Sequence, residues 1–153
     1  MGVAVAGADP LAVRLLLTRL GVADEGIDVV GFLSQDALTD LLRSTKALVA
    51  PSLGGESFGM VLTRAFACAV PVVASDIPGY RGVVTRETGT LAPPGDVEAL
   101  AGAVVDALAD EPERAARGAA ARELAVDRYS WEHVASELVQ IYDAAAGRTP
   151  VPA

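Results

Sequence analysis

The sequence predicts an α/β fold, a doubly wound parallel sheet with helices on both faces. Short apolar runs alternate with helix-like segments from residue 2 to residue 109, and this alternation is typical of parallel sheets. The runs are rich in Val and Ala, as expected for strands that are buried on both faces. Hydrophobic residues make up 52% of the chain and aromatic residues only 5%, so the core must be built from closely packed aliphatic side chains.

Each element is predicted from apolar periodicity and from the turn and cap residues around it. Strands are predicted at residues 2–6, 27–30, 47–50, 72–74 and 90–91. Helices are predicted at residues 11–20, 34–44, 58–68, 80–84, 97–109, 112–127 and 130–146. Asp9, Ser34, Asp96 and Ser130 stand where a side-chain oxygen can accept from a free N–H at a helix start. We therefore expect one domain over residues 1–146, followed by a flexible tail at 147–153.

Charge and cysteine usage exclude several classes of partner. The net charge is −8 and the sequence pI is about 4.5, which argues against binding to nucleic acid or to an anionic membrane surface. No apolar run reaches the length of a membrane-spanning helix, so direct membrane insertion is not expected. The single cysteine, Cys68, favours a reducing, cytoplasmic location. One His and one Cys cannot supply the usual nitrogen and sulfur ligands of a metal site, so no metal is predicted.

Residues 47–76 are the most informative stretch, because they read as strand, glycine-rich loop, helix and strand. Ligands of parallel sheets bind beyond the carboxyl ends of strands, where this loop falls. Gly54 and Gly55 allow the backbone to approach a ligand closely, and Ser57 precedes helix N–H groups that favour an anion. Glu56 would suit an uncharged, hydroxyl-rich group such as a sugar. The loop alone leaves open the alternative that Glu56 and Ser57 merely cap the helix.

Several ordered motifs resemble glycosyltransferase family 4. They are GGESFG, MVLTRAFA, PVVASD, PGYRGVV and TGTLAPPGD, and the final DRYSWEHVASELVQIYD resembles the closing helix of the same domain. The match is to the C-terminal, nucleotide-sugar-binding domain, and it implies a Rossmann-like parallel sheet that forms the C-terminal half of a GT-B fold without its first strand. The segments APSLGGESFGMVL and RYSW most resemble actinobacterial phosphatidylinositol mannosyltransferases. No GxGxxG motif follows a predicted strand, which argues against a nicotinamide-binding domain.

The resemblance also implies roles for particular residues. Backbone N–H groups of the loop and helix start would hold the donor diphosphate, while Glu56 would bind sugar hydroxyls and is the candidate catalytic residue. The implied donor-binding residues are Gly54, Gly55, Glu56, Ser57, Phe58 and Gly59. Gly31, Phe32 and Leu33 match the segment that binds the nucleobase, although Phe32 could equally be a core residue. Packing is the expected use of the Phe58 ring.

Two positions depart from the family pattern. The family has a second glutamate, which accepts from the ribose hydroxyls, where this chain has Arg64, and an arginine side chain can only donate. The family usually has glycine just past this helix, where this chain has Ala69. If the left-handed backbone of a glycine cap is kept, alanine there costs about 1 kcal/mol.

The implied activity is hexosyl transfer by a retaining glycosyltransferase from a nucleoside diphosphate sugar, with GDP-mannose as the first candidate and no other cofactor. The family's donor site also uses an Arg and a Lys from a loop after an earlier strand, and its acceptor site lies in an N-terminal domain. This chain contains neither, so we expect it to be an inactive fragment, with the intact enzyme peripheral at the inner face of the membrane. The alternatives are a UDP-sugar epimerase of the same fold and a catalytically silent binding domain, which Arg64 and Ala69 favour.

Overall fold

The computed structural model describes residues 2–147 and confirms an α/β fold built on parallel strands. The strands are β1 (Val3–Ala6), β2 (Ile27–Gly31), β3 (Leu48–Ala50), β4 (Val72–Ser75) and β5 (Gly89–Ala92). The helices are α1 (Pro10–Leu20), α2 (Gln35–Ser44), α3 (Met60–Ala67), α4 (Pro78–Arg81), α5 (Val97–Ala109), α6 (Glu111–Tyr129) and α7 (Trp131–Ala145). Of the tail expected at 147–153, residues 148–153 lie outside the described residues.

The chain divides into two compact units between Leu41 and Leu42, within α2. In the first unit, β1 and β2 pair in parallel and form a two-stranded sheet. Asp9 caps α1 by accepting from the Ala12 N–H at 2.8 Å. Gly31 is the only buried residue among residues 2–41, so this unit has little core of its own.

The second unit contains a three-stranded parallel sheet in the order β3–β4–β5. Val72, in β4, pairs with Leu48 on one side and with Gly89 on the other. All four residues of β4 are buried, because strands cover both of its edges and helices α3 and α5 pack against it. The three strands are parallel, so their carboxyl ends meet at one edge of the sheet. The segments that follow each strand therefore meet at that edge.

Helix α6 packs against α3, the helix that follows the glycine-rich segment after β3. Ala121 and Ala125 of α6 are buried, and Leu62 and Phe66 of α3 are fully buried. The Arg122 guanidinium of α6 donates a 2.7 Å hydrogen bond to the carbonyl oxygen of Ala67, the last residue of α3. The position of α3 is thus fixed at its C-terminal end.

Several predicted helix boundaries differ from the structure, and the largest differences are in α3, α4 and α6. Helix α3 begins at Met60 instead of residue 58, because Gly59 has a φ of 78°, which a right-handed helix does not allow. Helix α4 covers Pro78–Arg81 instead of residues 80–84. Helix α6 begins before Pro112, because the Asp110 carboxylate caps it by accepting from the Glu113 N–H at 2.9 Å.

Membrane spanning requires a long, predominantly apolar helix, and residues 2–147 contain none that meets both conditions.

Candidate functional site

The glycine-rich loop connects the carboxyl end of β3 to the start of α3. Residues 51–59 are neither strand nor helix, and Gly55 and Gly59 have φ values of 80° and 78°. Gly59 is the N-cap of α3, and no side chain caps this helix. The N–H groups of the first turn therefore lack the side-chain acceptor that would compete with an anionic ligand.

Glu56 and Ser57 do not cap α3, so the capping alternative is wrong. The cap position belongs to Gly59, two residues beyond Ser57. Both side chains lie on exposed residues, and neither makes a hydrogen bond or ion pair with another residue of the described range 2–147. The Glu56 carboxylate and the Ser57 hydroxyl thus have no partner among the described residues, on the loop that follows the carboxyl end of β3.

The ring of Phe58 packs as expected. Its centroid lies 5.5 Å from that of Tyr129, with an angle of 82° between the ring planes. This edge-to-face contact joins the loop to the C-terminal end of α6. The Phe58 ring is 43% exposed, so one side of it remains open to solvent.

The short helix α4 lies against the backbone of the loop. A Cβ atom built on Gly79 would overlap the carbonyl oxygen of Glu56, so any larger residue would displace the loop or α4. The Tyr80 hydroxyl shares a 3.0 Å hydrogen bond with that of Ser52. Sequence reasoning assigned no role to Ser52 or Tyr80. The available signal was weak: a serine directly after Pro51 at the end of a strand, and an aromatic residue after Pro78 and Gly79 in the following crossover.

An ion pair anchors α4 to the carboxyl end of β4. The Nε and one terminal nitrogen of Arg81 donate to the two carboxylate oxygens of Asp76 at 2.5 and 3.2 Å. The Asp76 N–H donates to the carbonyl oxygen of Ala92, at the end of β5, at 2.7 Å. The hydrogen bond from Arg81 lowers the pKa of Asp76 below its ordinary value of 3.8. The cap position of α4 is Ile77, so Asp76 does not cap this helix and pairs with Arg81 instead.

The two departures from the family pattern lie on and just after α3. Arg64 is the fifth residue of α3, half-buried, and its side chain has no ion pair or hydrogen bond within residues 2–147. Ala69 has a φ of 59°, and it is the one non-glycine residue with positive φ in the described range. The left-handed backbone expected after α3 is therefore present, with alanine in place of glycine.

The predicted nucleobase segment, residues 31–33, belongs to the first unit, whereas the glycine-rich loop belongs to the second. Gly31 ends β2 with a φ of 72°, and its carbonyl oxygen accepts from the Gly7 N–H at 2.7 Å. Phe32 is 80% exposed, so the alternative that it is a core residue is wrong. Leu33 is half-buried. An exposed aromatic ring next to a strand end can stack on a planar base.

A metal site requires several ligand side chains close together. Within the described range, no group of three or more His, Cys, Asp or Glu side chains is placed to hold a metal ion.

The fold is an α/β fold in which a glycine-rich loop connects a parallel strand to an uncapped helix, at the edge of the sheet where ligands of such folds usually bind. Comparison with known families identifies the class more closely. The model of the family "Glycosyl transferases group 1" matches residues 3–124, so the chain belongs to this family.

The chain is similar to curated relatives and to solved structures of longer proteins. A phosphatidyl-myo-inositol mannosyltransferase from Mycobacterium leprae is 40% identical over 132 residues, which are 86% of this chain and 35% of that protein. The sucrose-phosphate synthase from Thermosynechococcus elongatus is 30% identical with a TM-score of 0.82, over 94% of this chain and 38% of that one. The Anabaena protein HepE, solved with UDP, has a TM-score of 0.83 at 22% identity, over 94% of this chain and 41% of that one, and shows the same fold. The chain thus spans about a third of the length of the M. leprae protein.

Proposed function

We propose that this chain is the donor-binding part of a retaining glycosyltransferase that uses a nucleoside diphosphate hexose, with GDP-mannose as the first candidate. The observation that carries the proposal is the glycine-rich loop beside the uncapped start of α3, in which the side chains of Glu56 and Ser57 make no hydrogen bond or ion pair within residues 2–147. The choice of mannose rests on similarity to a protein named as a mannosyltransferase. The proposal requires no cofactor besides the donor, and it places the protein in the cytoplasm.

The loop would act on the leaving group by electrostatics. Backbone N–H groups of residues 54–59 and the N-terminus of α3 would bind the diphosphate, which gains negative charge as the bond to the sugar breaks. The net charge of −8 opposes an anion at long range, so these local donors must supply the binding energy. The Glu56 carboxylate would accept hydrogen bonds from sugar hydroxyls and hold the sugar in register with the diphosphate.

The proposal is tested by titrating the isotope-labelled chain with GDP, UDP and ADP while amide shifts are recorded. Shift changes should cluster at residues 54–59, and the segment 31–33 should respond if it binds the base. Calorimetry on the same samples ranks the three nucleotides. Shift changes confined to other parts of the chain would overturn the site, and absence of binding by all three nucleotides would favour the silent binding domain that Arg64 suggests.

Glu56→Gln separates sugar binding from diphosphate binding. Because Glu56 is proposed to contact the sugar alone, the variant should bind GDP like the original chain and bind GDP-mannose about tenfold more weakly, as for one lost charged hydrogen bond. An equal loss for both ligands would mean that Glu56 shapes the loop instead of binding the sugar. A UDP-sugar epimerase would be recognised by preference for UDP and by a free epimerised product.

A further inference from the structure

The buried side chain of Tyr80 contacts both ends of the glycine-rich loop. Its hydroxyl hydrogen-bonds to Ser52, at the start of the loop, and its ring lies against Gly59, at the end. A Cβ atom on Gly59 would lie only 2.6 and 2.7 Å from two ring carbons of Tyr80, so glycine is required for this close approach. Tyr80 itself is 1% exposed, so its ring has a fixed place in the core. One side chain therefore sets the separation between the two ends of the loop.

The helix that carries Tyr80 is itself held firmly. Gly79 packs against the backbone of Glu56, in the middle of the loop, and the Asp76–Arg81 ion pair joins the last residue of α4 to the residue that follows β4. Asp76 is in turn bonded through its N–H to the end of β5. The position of the Tyr80 ring is thus tied to the sheet and not to the loop alone.

We propose that Tyr80 is a positioning residue that holds the glycine-rich loop in the conformation that binds the donor diphosphate, an inference that rests on the proposed function. A loop that is ordered before binding does not lose conformational entropy when the ligand arrives, so its affinity is higher. The hydroxyl of Tyr80 fixes residues 52–55 through Ser52, while its ring fixes the start of α3 through Gly59. Tyr80 would act through the loop, without touching the nucleotide.

Tyr80→Phe tests the hydroxyl while keeping the ring. The variant should bind GDP about fivefold more weakly, which corresponds to the loss of one neutral hydrogen bond. Ser52→Ala removes the same hydrogen bond from the other side and should weaken binding by the same factor. The double variant should bind no more weakly than either single variant, because one interaction is removed in all three. Additive losses would instead indicate that Ser52 contacts the ligand directly.

Tyr129→Phe is the matched control. Tyr129 also packs its ring on the loop, through Phe58, but its hydroxyl forms no hydrogen bond within the described residues. GDP affinity should therefore stay within about twofold of that of the original chain. If Tyr80→Phe lowers the melting temperature but leaves GDP affinity unchanged, Tyr80 is a packing residue and the proposal is wrong. If Tyr80→Phe does not fold, Ser52→Ala alone decides the same point.

Amide hydrogen exchange without nucleotide separates this proposal from the proposed function. Tyr80→Phe and Ser52→Ala should both accelerate exchange at residues 52–59 and leave α6 unchanged. If they do so in a chain that does not bind GDP, the donor site is wrong but the control of the loop by Tyr80 stands. If loop exchange is the same in the variants and the original chain, Tyr80 does not position the loop, whatever the nucleotide result.

Discussion

At the residue scale, Arg64 is the position on α3 at which this chain departs from the family pattern. The family resemblance implies a ribose-binding glutamate at its position, and Glu56 lies in the loop four residues before α3 begins. If both residues lay in one regular helix, they would be about 12 Å apart along its axis and could not face one ligand. Because residue 56 precedes the regular helix, the two positions can lie closer together. Arg64 has no ion pair or hydrogen bond within residues 2–147 that would give it a structural role instead.

Arg64→Glu should tighten the binding of GDP and UDP by about tenfold, because a carboxylate can accept from both ribose hydroxyls. Calorimetry checks this, and the gain should shrink for a 2′,3′-dideoxy nucleotide. Arg64→Gln is the control, since it removes the positive charge without supplying a carboxylate, and it should gain less than Arg64→Glu. Weaker binding of both nucleotides by Arg64→Glu would identify Arg64 as a phosphate ligand.

The Asp76–Arg81 pair predicts a specific dependence of stability on pH. Because its hydrogen bond to Arg81 lowers the pKa of Asp76 in the folded state, the stabilisation is complete above the ordinary value of 3.8 and is lost as pH falls through the lowered pKa. Asp76→Asn should therefore lower the melting temperature at neutral pH, and its difference from the original chain should vanish in strongly acidic solution. Asp106→Asn, at an exposed and unpaired position of α5, is the control. A difference that persists in acid would show that the pair does not act through its charge.

At the element scale, helix ends show which parts of the fold can be predicted from sequence. Asp9, Asp96 and Ser130 cap α1, α5 and α7 as expected, because a cap and its partner N–H are three residues apart and the signal is local. The start of α3 was predicted two residues too early. It depends on the left-handed conformation of Gly59, which lies against a tyrosine from a later crossover, and the local sequence carries no signal for that contact.

The candidate site likewise has features that could be predicted from the sequence and features that could not. The glycine-rich loop and its carboxylate could be predicted, because their residue types and their place after a strand carry the information. The supporting contacts could not, since Ser52 and Tyr80 are separated by 28 residues and meet only in the folded chain. A hydroxyl on a buried ring is also an ordinary core feature until its partner is known.

The end of α3 offers a stability prediction. Ala69 has a φ of 59°, a conformation that costs an alanine about 1–2 kcal/mol and a glycine little. Ala69→Gly should therefore raise the free energy of unfolding by about 0.5–1 kcal/mol, after the greater freedom of glycine in the unfolded chain is subtracted. Thermal unfolding should show an increase of about 2–3 °C in melting temperature.

Ala101→Gly is the matched control for that prediction, since it makes the same change at an exposed position inside α5. There the backbone is helical, and glycine should cost about 1 kcal/mol. The two variants should thus shift the melting temperature in opposite directions. A loss of stability in both would mean that the backbone at Ala69 is not strained.

At the scale of the whole molecule, we expect the purified chain of 153 residues to transfer no sugar. Arg81, which follows β4, is paired with Asp76, and the one lysine, Lys46, precedes β3, at the opposite end of that strand from the glycine-rich loop. The leaving diphosphate would therefore depend mainly on backbone donors. The assay uses GDP-mannose with vesicles that contain phosphatidylinositol, and the full-length M. leprae relative serves as the positive control. Measurable product from the chain alone would contradict this expectation.

The two units should differ greatly in local stability. In β4 every residue is buried, whereas the first unit buries only Gly31 among its described residues, and a segment of about 40 residues rarely forms a sufficient core alone.

Two hydrogen bonds of equal length, 2.7 Å, allow a matched comparison of amide exchange in the two units. The Gly7 N–H donates to the carbonyl oxygen of Gly31 in the first unit, and the Asp76 N–H donates to that of Ala92 in the second. After correction for intrinsic rates, the Gly7 amide should exchange about a hundredfold faster, because local opening of the first unit requires less free energy. Equal protection would show that the chain opens as one cooperative body.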